Sequence, residues 1–170
     1  MKIVLVMVAT ADGVISKRID QTVDWSSKED KKIFIEETKK LGTIIMGSTT
    51  YRVIGRHLPG RLNVVLTSDP AKFANQTIPG ELEFMCGTPQ EIVGVLEKRG
   101  VTSAALIGGP TTNAAFLKAG LVNELLLSIE PRIFGMGINL SEGQDLDLRL
   151  KLLEHRLLNP DVVLLRYQIL

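Results

Sequence analysis

The stretch that decides the fold spans residues 43–70 and reads TIIMGSTTYRVIGRHLPGRLNVVLTSDP. Its first apolar run stops at Gly47, and a hydroxyl-rich turn of Ser48, Thr49 and Thr50 follows. A second apolar run ends in two more hydroxyl side chains. The pattern predicts a strand, a turn, a short helix, a loop and another strand. A helix that begins directly after a strand offers unpaired backbone N–H groups at its positive end, so the turn is suited to an anion.

The composition argues against several function classes. At 170 residues the chain is long enough for one buried core, so we expect a single domain over residues 1–170. A net charge of +1 with interspersed acids and bases argues against nucleic acid and membrane surfaces as partners. The single cysteine and two histidines argue against a disulfide and a metal site. All apolar runs are strand-sized, and the expected location is the cytoplasm.

A strand, a loop and a helix precede the deciding stretch. Residues 2–9 are apolar almost throughout, which predicts a strand buried on both faces. Residues 10–25 lack periodicity and contain an Asp-Gly turn signal, so we interpret them as a long exposed loop, either a lid or a plain connection. Ser26 and Glu29 fit a capping box for a helix that begins at Ser26 or Ser27.

Strands alternate with helices after the deciding stretch. A strand over residues 81–86 is followed by a helix that starts at Thr88 and Pro89. The next strand runs into Gly108 and Gly109, which let a ligand approach the backbone closely, and a short helix follows. Three more strands are predicted over residues 121–130, 146–158 and 162–170. The order predicts an α/β fold with a mostly parallel central sheet of about eight strands, a C-terminal antiparallel hairpin and about four flanking helices.

The two strand-to-helix turns, at Gly47 and Gly108, are expected to bracket a crevice at the carboxyl ends of the strands. Opposite them, Asp30 lies in the middle of the apolar face of the first predicted helix. A carboxylate in an apolar cleft needs a ligand that donates to it, because an unpaired buried charge is costly. Glu37 lies on the same face, so the position of Asp30 is not unique, and the alternative is that Asp30 only complements the helix dipole. For the Gly-Gly pair the alternative is a tight strand-to-helix turn without a ligand.

Four segments carry a family resemblance that covers nearly the whole chain. The strongest is MGSTTYRVIGRHLPGRLNVVLT. Trp25, Asp30, Phe34 and Thr38 form the second, and Ile107 followed by two glycines forms the third. Together they resemble the dihydrofolate reductase family, in motif, helix spacing and cofactor-binding turn. The fourth segment, LVNELLLSIEPRIFGMGINL, is closer to the shorter, dimer-forming members and to the related reductases of riboflavin biosynthesis, which implies a possible homodimer.

The resemblance implies a substrate site built around one carboxylate. Asp30 would be the catalytic residue, holding the 2-amino group and N3 of a dihydropterin ring and promoting protonation at N5. Arg61 would bind the glutamate α-carboxylate as a bidentate pair; the alternative is an ordinary surface arginine. The other implied substrate-binding residues are Phe34, Ile54 and Leu58, which would contact the ring and the benzoyl part, Met7 and Val8, through backbone carbonyls, and Ser128, through a hydrogen bond to Asp30.

The same resemblance implies a nicotinamide dinucleotide site along the two turns. Val8 would contact nicotinamide as well as pterin, and Ile15 would belong to the lid. The remaining implied cofactor-binding residues are Gly47, Ser48, Thr49, Thr50, Thr67, Ser68, Ile107, Gly108, Gly109, Pro110, Thr111 and Thr112. No metal ion is expected.

The chain departs from the family pattern at four places, one of which is His57 in the loop where many members have proline. Ser48 stands where the family has the arginine that grips the 2′-phosphate of NADPH, so NADPH is expected while NADH stays open. Pro110 replaces a third glycine after the pair and removes one N–H group from the set available to phosphate. No acidic residue stands beside Gly135 in the late loop, so we expect lid closure through that loop to differ.

Three functional hypotheses follow. The first is hydride transfer from NADPH to 7,8-dihydrofolate with protonation at N5, giving tetrahydrofolate for one-carbon metabolism. The alternative is the NADPH-dependent reductase of riboflavin biosynthesis, which opens a ribosylamino-pyrimidine sugar. The third is a non-catalytic nucleotide-binding homologue. The run IGRHLPGR and the presence of Asp30 favour dihydrofolate.

Overall fold

Ten strands, four α-helices and one 3₁₀ helix make up the structure, a computed structural model that describes residues 1–170. The strands are β1 (Lys2–Thr10), β2 (Val14–Ser16), β3 (Thr43–Gly47), β4 (Leu62–Leu66), β5 (Leu82–Met85), β6 (Ser103–Leu106), β7 (Glu124–Glu130), β8 (Ile138–Asn139), β9 (Leu150–Leu157) and β10 (Val163–Ile169). The α-helices are α1 (Lys28–Leu41), α2 (Ser48–Ile54), α3 (Pro89–Lys98) and α4 (Pro110–Lys118), and the 3₁₀ helix spans Pro70–Gln76.

Eight strands form one sheet in the order β5, β4, β3, β6, β1, β7, β10, β9. Neighbours among the first six run parallel, whereas β10 pairs antiparallel with both β7 and β9. The short strands β2 and β8 pair with each other outside this sheet. The predicted α/β class is therefore confirmed, including the mostly parallel centre, the C-terminal antiparallel hairpin and the four α-helices.

Two apolar clusters lie on opposite faces of the sheet. Along β1, Ile3 and Leu5 belong to one cluster and Val4 and Val6 to the other, because successive side chains of a strand point to opposite faces. Helices α3 and α4 contribute to the first cluster, and Phe34 of α1 packs against the second. Burial on both faces explains why β1 is apolar almost throughout. None of the helices combines the length and apolar content needed to cross a bilayer.

The segment of residues 10–25, here called the strap, is more ordered than the exposed loop that the sequence predicts. It contains β2, and Val14 and Ile15 are only 5% and 8% exposed. The N–H of Val14 donates to Thr10 Oγ1 at 3.0 Å, which folds the strap back against the end of β1. A strand of three residues is too short to show alternation, so the sequence pattern does not indicate it.

Helix α1 begins one residue later than the predicted capping box. Ser27 is the N-cap, and its Oγ accepts a hydrogen bond from the N–H of Asp30 at 3.1 Å. Two adjacent serines leave the register open in the sequence. The N–H of Ser27 donates to Glu130 Oε1 at 2.7 Å, and this long-range contact supports the later start. Asp30 consequently occupies the first turn of α1.

Candidate functional site

A cleft of about 710 Å³ opens at the carboxyl ends of β1, β3, β4 and β6. The strand ends form its floor, and α1, α2, the start of α4 and the strap form its walls. This is the edge of an open α/β sheet at which the sequence predicts a crevice.

The two strand-to-helix turns meet because β3 and β6 are neighbours in the sheet. The N–H of Gly47 donates to the carbonyl oxygen of Gly108 at 2.9 Å. A Cβ atom on Gly47 would lie 2.7 Å from Thr112 Oγ1, so a larger residue would push Thr112 aside. Gly108 has a φ of +108°, which other residues rarely adopt, and the Gly108–Gly109 peptide bond is cis. The glycines therefore allow the two turns to approach closely.

The turn residues offer a set of neutral donors. Gly47 and Gly109 are the N-cap residues of α2 and α4, and neither provides a side-chain cap for the first-turn N–H groups. Hydroxyl groups from both turns and from the end of β4 line the same part of the cleft: Ser48, Thr49, Thr50, Thr67, Ser68, Thr111 and Thr112. Backbone N–H and hydroxyl groups are donors that phosphate sites use. The residues present thus fit the diphosphate of a dinucleotide.

Asp30 is the only acidic side chain that lines the cleft. It is 7% exposed, and apolar side chains such as Phe34 and Leu126 line the cleft with it. Burial raises the pKa of the Asp30 carboxyl, and hydrogen bonding with the hydroxyls of Ser128 and Ser26 opposes that rise only in part. The Asp30 carboxyl therefore keeps its proton to a higher pH than an ordinary aspartate.

Two buried polar atoms just before α1 lack a well-formed hydrogen bond within the protein, Trp25 Nε1 and Ser26 Oγ. The Ser26 hydroxyl is near enough to lower the pKa of Asp30, but the contact misses ordinary hydrogen-bond geometry. Trp25 packs edge-on against Phe134, with ring centroids 5.2 Å apart. Buried polar atoms without partners are rare in folded proteins, so the Ser26 hydroxyl, which lines the cleft, marks this end of it as a place for a polar ligand or water.

The strap closes one side of the cleft. Ile15 lines the cleft from β2, and the Asp12 carboxylate accepts hydrogen bonds from the backbone N–H groups of Phe134 and Gly135. The Lys17 ammonium lies 4.7 Å from the centroid of the Phe134 ring. The strap is therefore held to the loop after β7.

Nearly all of the predicted site residues lie in this one cleft. The predicted substrate-binding residues that line it are Met7, Val8, Asp30, Phe34, Ile54, Leu58 and Ser128. The predicted cofactor-binding residues that line it are Val8, Ile15, Gly47, Ser48, Thr49, Thr50, Thr67, Ser68, Ile107, Gly108, Gly109, Pro110, Thr111 and Thr112. The structure brings both groups together, and the roles of the individual residues stay predictions.

Arg61 is the predicted site residue that does not line the cleft. It is 7% exposed, and its Nη1 donates to Thr38 Oγ1 and, at 3.3 Å, to the carbonyl oxygen of Ile35. The guanidinium group is thus packed against α1. The motif places Arg61 correctly in the chain but carries no information on the direction of its side chain.

Three cationic side chains that were not among the predicted site residues also line the cleft: Arg18 from the strap, Lys31 beside Asp30, and Arg56 just after α2. A signal for Arg56 existed, because it lies within the run IGRHLPGR that favours dihydrofolate. The cleft therefore combines one acid with three bases. No group of three or more His, Cys, Asp or Glu side chains is placed to hold a metal ion.

The chain is similar to a known protein family and to known proteins. The family described as the RibD C-terminal domain matches residues 1–164. The dihydrofolate reductase of Aedes albopictus is 30% identical over 131 residues, which cover 69% of this chain and 66% of that protein. The family match spans both turns, α1 and the strap.

Solved structures share the fold. The diaminohydroxyphosphoribosylaminopyrimidine deaminase/5-amino-6-(5-phosphoribosylamino)uracil reductase of Thermotoga maritima matches with a TM-score of 0.80 at 14% identity, over 99% of this chain and 56% of that one. The dihydrofolate reductase of Enterococcus faecalis, complexed with NADP(H) and RAB-propyl, matches with a TM-score of 0.70 at 20% identity, over 99% of this chain and 96% of that one. At these identities the similarity establishes the fold alone, which is dihydrofolate-reductase-like as predicted. Since the family model covers nearly the whole sequence, the chain belongs to the RibD C-terminal domain family.

Proposed function

We propose that this chain is an NADPH-dependent reductase whose substrate carries a pyrimidine ring, free or fused within a pterin, that donates N–H groups to Asp30. The observation that carries the proposal is the position of Asp30, the only acid in a cleft whose other end fits a diphosphate. A buried carboxylate is costly unless a ligand donates to it. Membership in a family with reductases of this fold supports the same conclusion.

Different segments around the cleft would bind the cofactor, bind the substrate and exclude water in this reaction. When bound, NADPH supplies the hydride from its nicotinamide ring. The two turns hold its phosphates, and the backbone of Met7 and Val8 on β1 orients both rings. Asp30 binds the N–H edge of the substrate and, with its raised pKa, supports the proton uptake that accompanies hydride transfer. Ile15 from the strap helps to exclude water.

The first candidate substrate is a phosphoribosylamino-pyrimidine, the alternative that the sequence left open. The family match favours it, and Arg18, Lys31 and Arg56 line the cleft as possible partners for a sugar phosphate. In the reaction a C–H bond forms at C1′ of the sugar, the C1′–O4′ bond breaks and O4′ takes the proton. Asp30, the only acid in the cleft, binds the base in this arrangement and passes the proton to O4′ through water, and the cations bind the phosphate.

Dihydrofolate is the second candidate, because Phe34, Ile54 and Leu58 form an apolar wall suited to an aminobenzoyl group. Hydride would go to C6 and the proton to N5, giving tetrahydrofolate. Arg61 is engaged with α1, so the glutamate tail would meet Arg56 rather than Arg61. With dihydrofolate as substrate, the contact to the glutamate tail would therefore differ from the one that the family resemblance implies.

We also propose that the protein works as a homodimer in the cytoplasm. Strand β9 lies at the sheet edge with every residue exposed, including Leu152 at 48% and Leu157 at 65%. The four leucines of this strand leave an exposed apolar surface that a second copy would cover. The cytoplasmic location rests on the single cysteine, Cys86.

Parallel assays of NADPH oxidation test the proposal. The substrates are a phosphoribosylamino-pyrimidine, the same compound without its phosphate, and dihydrofolate. We expect the highest kcat/KM with the phosphorylated pyrimidine. The change Arg56→Gln should raise KM for that substrate by about tenfold, and the change Arg132→Gln, at an exposed arginine outside the cleft, should not.

The other outcomes select between the remaining hypotheses. Oxidation with dihydrofolate alone would select the second candidate. Cofactor binding without turnover of any substrate would identify a non-catalytic nucleotide-binding protein and contradict the proposal.

A further inference from the structure

A second buried carboxylate lies behind Asp30. Glu130, at the end of β7, is 4% exposed and does not line the cleft. Its Oε1 accepts a hydrogen bond from the N–H of Ser27 at 2.7 Å. Ser27 is the N-cap of α1, and its Oγ accepts from the N–H of Asp30 at 3.1 Å. Glu130 is thus linked to Asp30 through a single residue.

Strand β7 presents Ser128 and Glu130 on the same face, because side chains two residues apart in a strand point the same way. They are 2% and 4% exposed. The Ser128 hydroxyl interacts with the Asp30 carboxyl, and the Glu130 charge acts on that carboxyl as well. One strand therefore brings a neutral donor and a second acid to Asp30.

The surroundings do not neutralise this pair of acids with an ion pair. Neither Asp30 nor Glu130 forms a salt bridge. The positive end of α1 compensates Glu130 through the Ser27 N–H. The Lys31 charge on α1 acts on the Asp30 carboxyl, and Arg18 and Arg56 line the cleft from the strap and from the loop after α2. Glu29, on the same helical turn, is bonded instead to the Asn159 amide at 3.1 Å.

We propose, on the basis of the proposed reductase function, that Glu130 is a positioning residue that fixes the first turn of α1 against β7 and keeps a second negative charge beside the Asp30 carboxyl. Two like charges at close range disfavour ionisation of the second group, so Asp30 holds a proton to a higher pH. The reduction takes up one proton with each hydride. Glu130 therefore extends turnover toward higher pH.

The variant Glu130→Gln tests this proposal, because glutamine keeps an acceptor oxygen for the Ser27 N–H and removes only the charge. The matched control is Glu29→Gln on the same helical turn. In the ligand-free protein, carbon NMR of the Asp30 carboxyl should show its titration midpoint several tenths of a pH unit lower in Glu130→Gln. The alkaline limb of turnover should move with it, while KM changes by less than about twofold. Glu29→Gln should match the wild type.

An Asp30 titration that is unchanged in Glu130→Gln, or that shifts equally in Glu29→Gln, would overturn the proposal. The NMR titration needs no substrate, so an absence of turnover would remove the proposed function without deciding the role of Glu130. If Glu130→Gln does not fold, Glu130→Met, which has a similar volume and no charge, takes its place. The Asp30 midpoint of that variant must lie below the wild-type midpoint, and an unchanged midpoint would reject the coupling.

Discussion

The Asp12 carboxylate accepts a hydrogen bond from the backbone N–H of Gly135 at 2.7 Å, joining the strap to the loop after β7. The N–H of Phe134 donates to the same carboxylate at 3.1 Å. The sequence lacks an acid beside Gly135, and the acid of this contact stands on the strap instead. The Thr10 hydroxyl, followed by the Gly135 N–H, holds the pKa of Asp12 below its usual range.

The change Asp12→Asn is expected to lower kcat/KM by about tenfold at neutral pH, because the strap loses a charged acceptor that holds it over the cleft. A carboxylate whose pKa is lower in the folded than in the unfolded state stabilises the folded arrangement at pH values above its unfolded pKa. This stabilisation is lost as the pH falls through the folded-state pKa. Wild type and variant should therefore converge at acidic pH. A pH series of kcat/KM checks this, with Asp24→Asn, an exposed acid of the same strap, as the control. Equal activity of Asp12→Asn and wild type at neutral pH would contradict it.

Cofactor preference should respond to the residue at position 48. We expect Ser48→Arg to lower KM for NADPH by about tenfold and to leave KM for NADH unchanged, because a guanidinium group binds the 2′-phosphate that only NADPH carries. Ser48→Gln, which adds length without charge, serves as the control. An equal change for both cofactors would show that Ser48 lies away from the 2′-phosphate.

Arg61 should matter for stability because its Nη1 donates to the α1 groups Ile35 O and Thr38 Oγ1. We expect Arg61→Gln to lower the free energy of unfolding by about 2 kcal/mol, since buried acceptors lose their donor. Arg56→Gln should stay within about 0.5 kcal/mol of wild type. Urea unfolding measures both. Unchanged stability together with a raised substrate KM would instead support the tail-binding role that the resemblance implies.

The exposed leucines of β9 predict self-association. Sedimentation equilibrium should return twice the chain mass for wild type and the single-chain mass for Leu152→Lys, because the charge replaces an apolar side chain that a second copy would cover. Ile133→Lys replaces another exposed apolar side chain, 78% accessible and outside β9, and should stay dimeric. A wild-type monomer at working concentration would remove the dimer.

The sequence predicts the parts of the structure that local chemistry determines. The apolar run of β1, the glycines at positions 47, 108 and 109, and the spacing of Asp30 and Phe34 on α1 each have a periodic or conformational signature. Their positions were correct, and Asp30 and the glycines lie in one cleft. These signals determine the fold class and the location of the candidate site.

Other features depend on contacts between distant segments. The start of α1 at Ser27 is supported by Glu130, which is 103 residues away in the chain, and the direction of Arg61 depends on Thr38. No local sequence pattern predicts the first residue of α1 or the direction of the Arg61 side chain. The same limit applies to the choice of substrate: the motif around Arg61 favoured dihydrofolate, whereas the chain belongs to the RibD C-terminal domain family.

The most direct test of the account is steady-state NADPH oxidation by wild type and by Asp30→Asn at neutral pH, with the phosphoribosylamino-pyrimidine as substrate. Because the pKa of Asp30 is raised in the folded state, ionisation of its carboxyl lowers the stability of the wild type as the pH rises. Asp30→Asn carries no such charge, so we expect it to fold and to be more stable than the wild type at neutral pH. We predict that turnover falls by at least about 100-fold while cofactor binding persists. Turnover equal to that of wild type would contradict the claim that Asp30 carries the reaction.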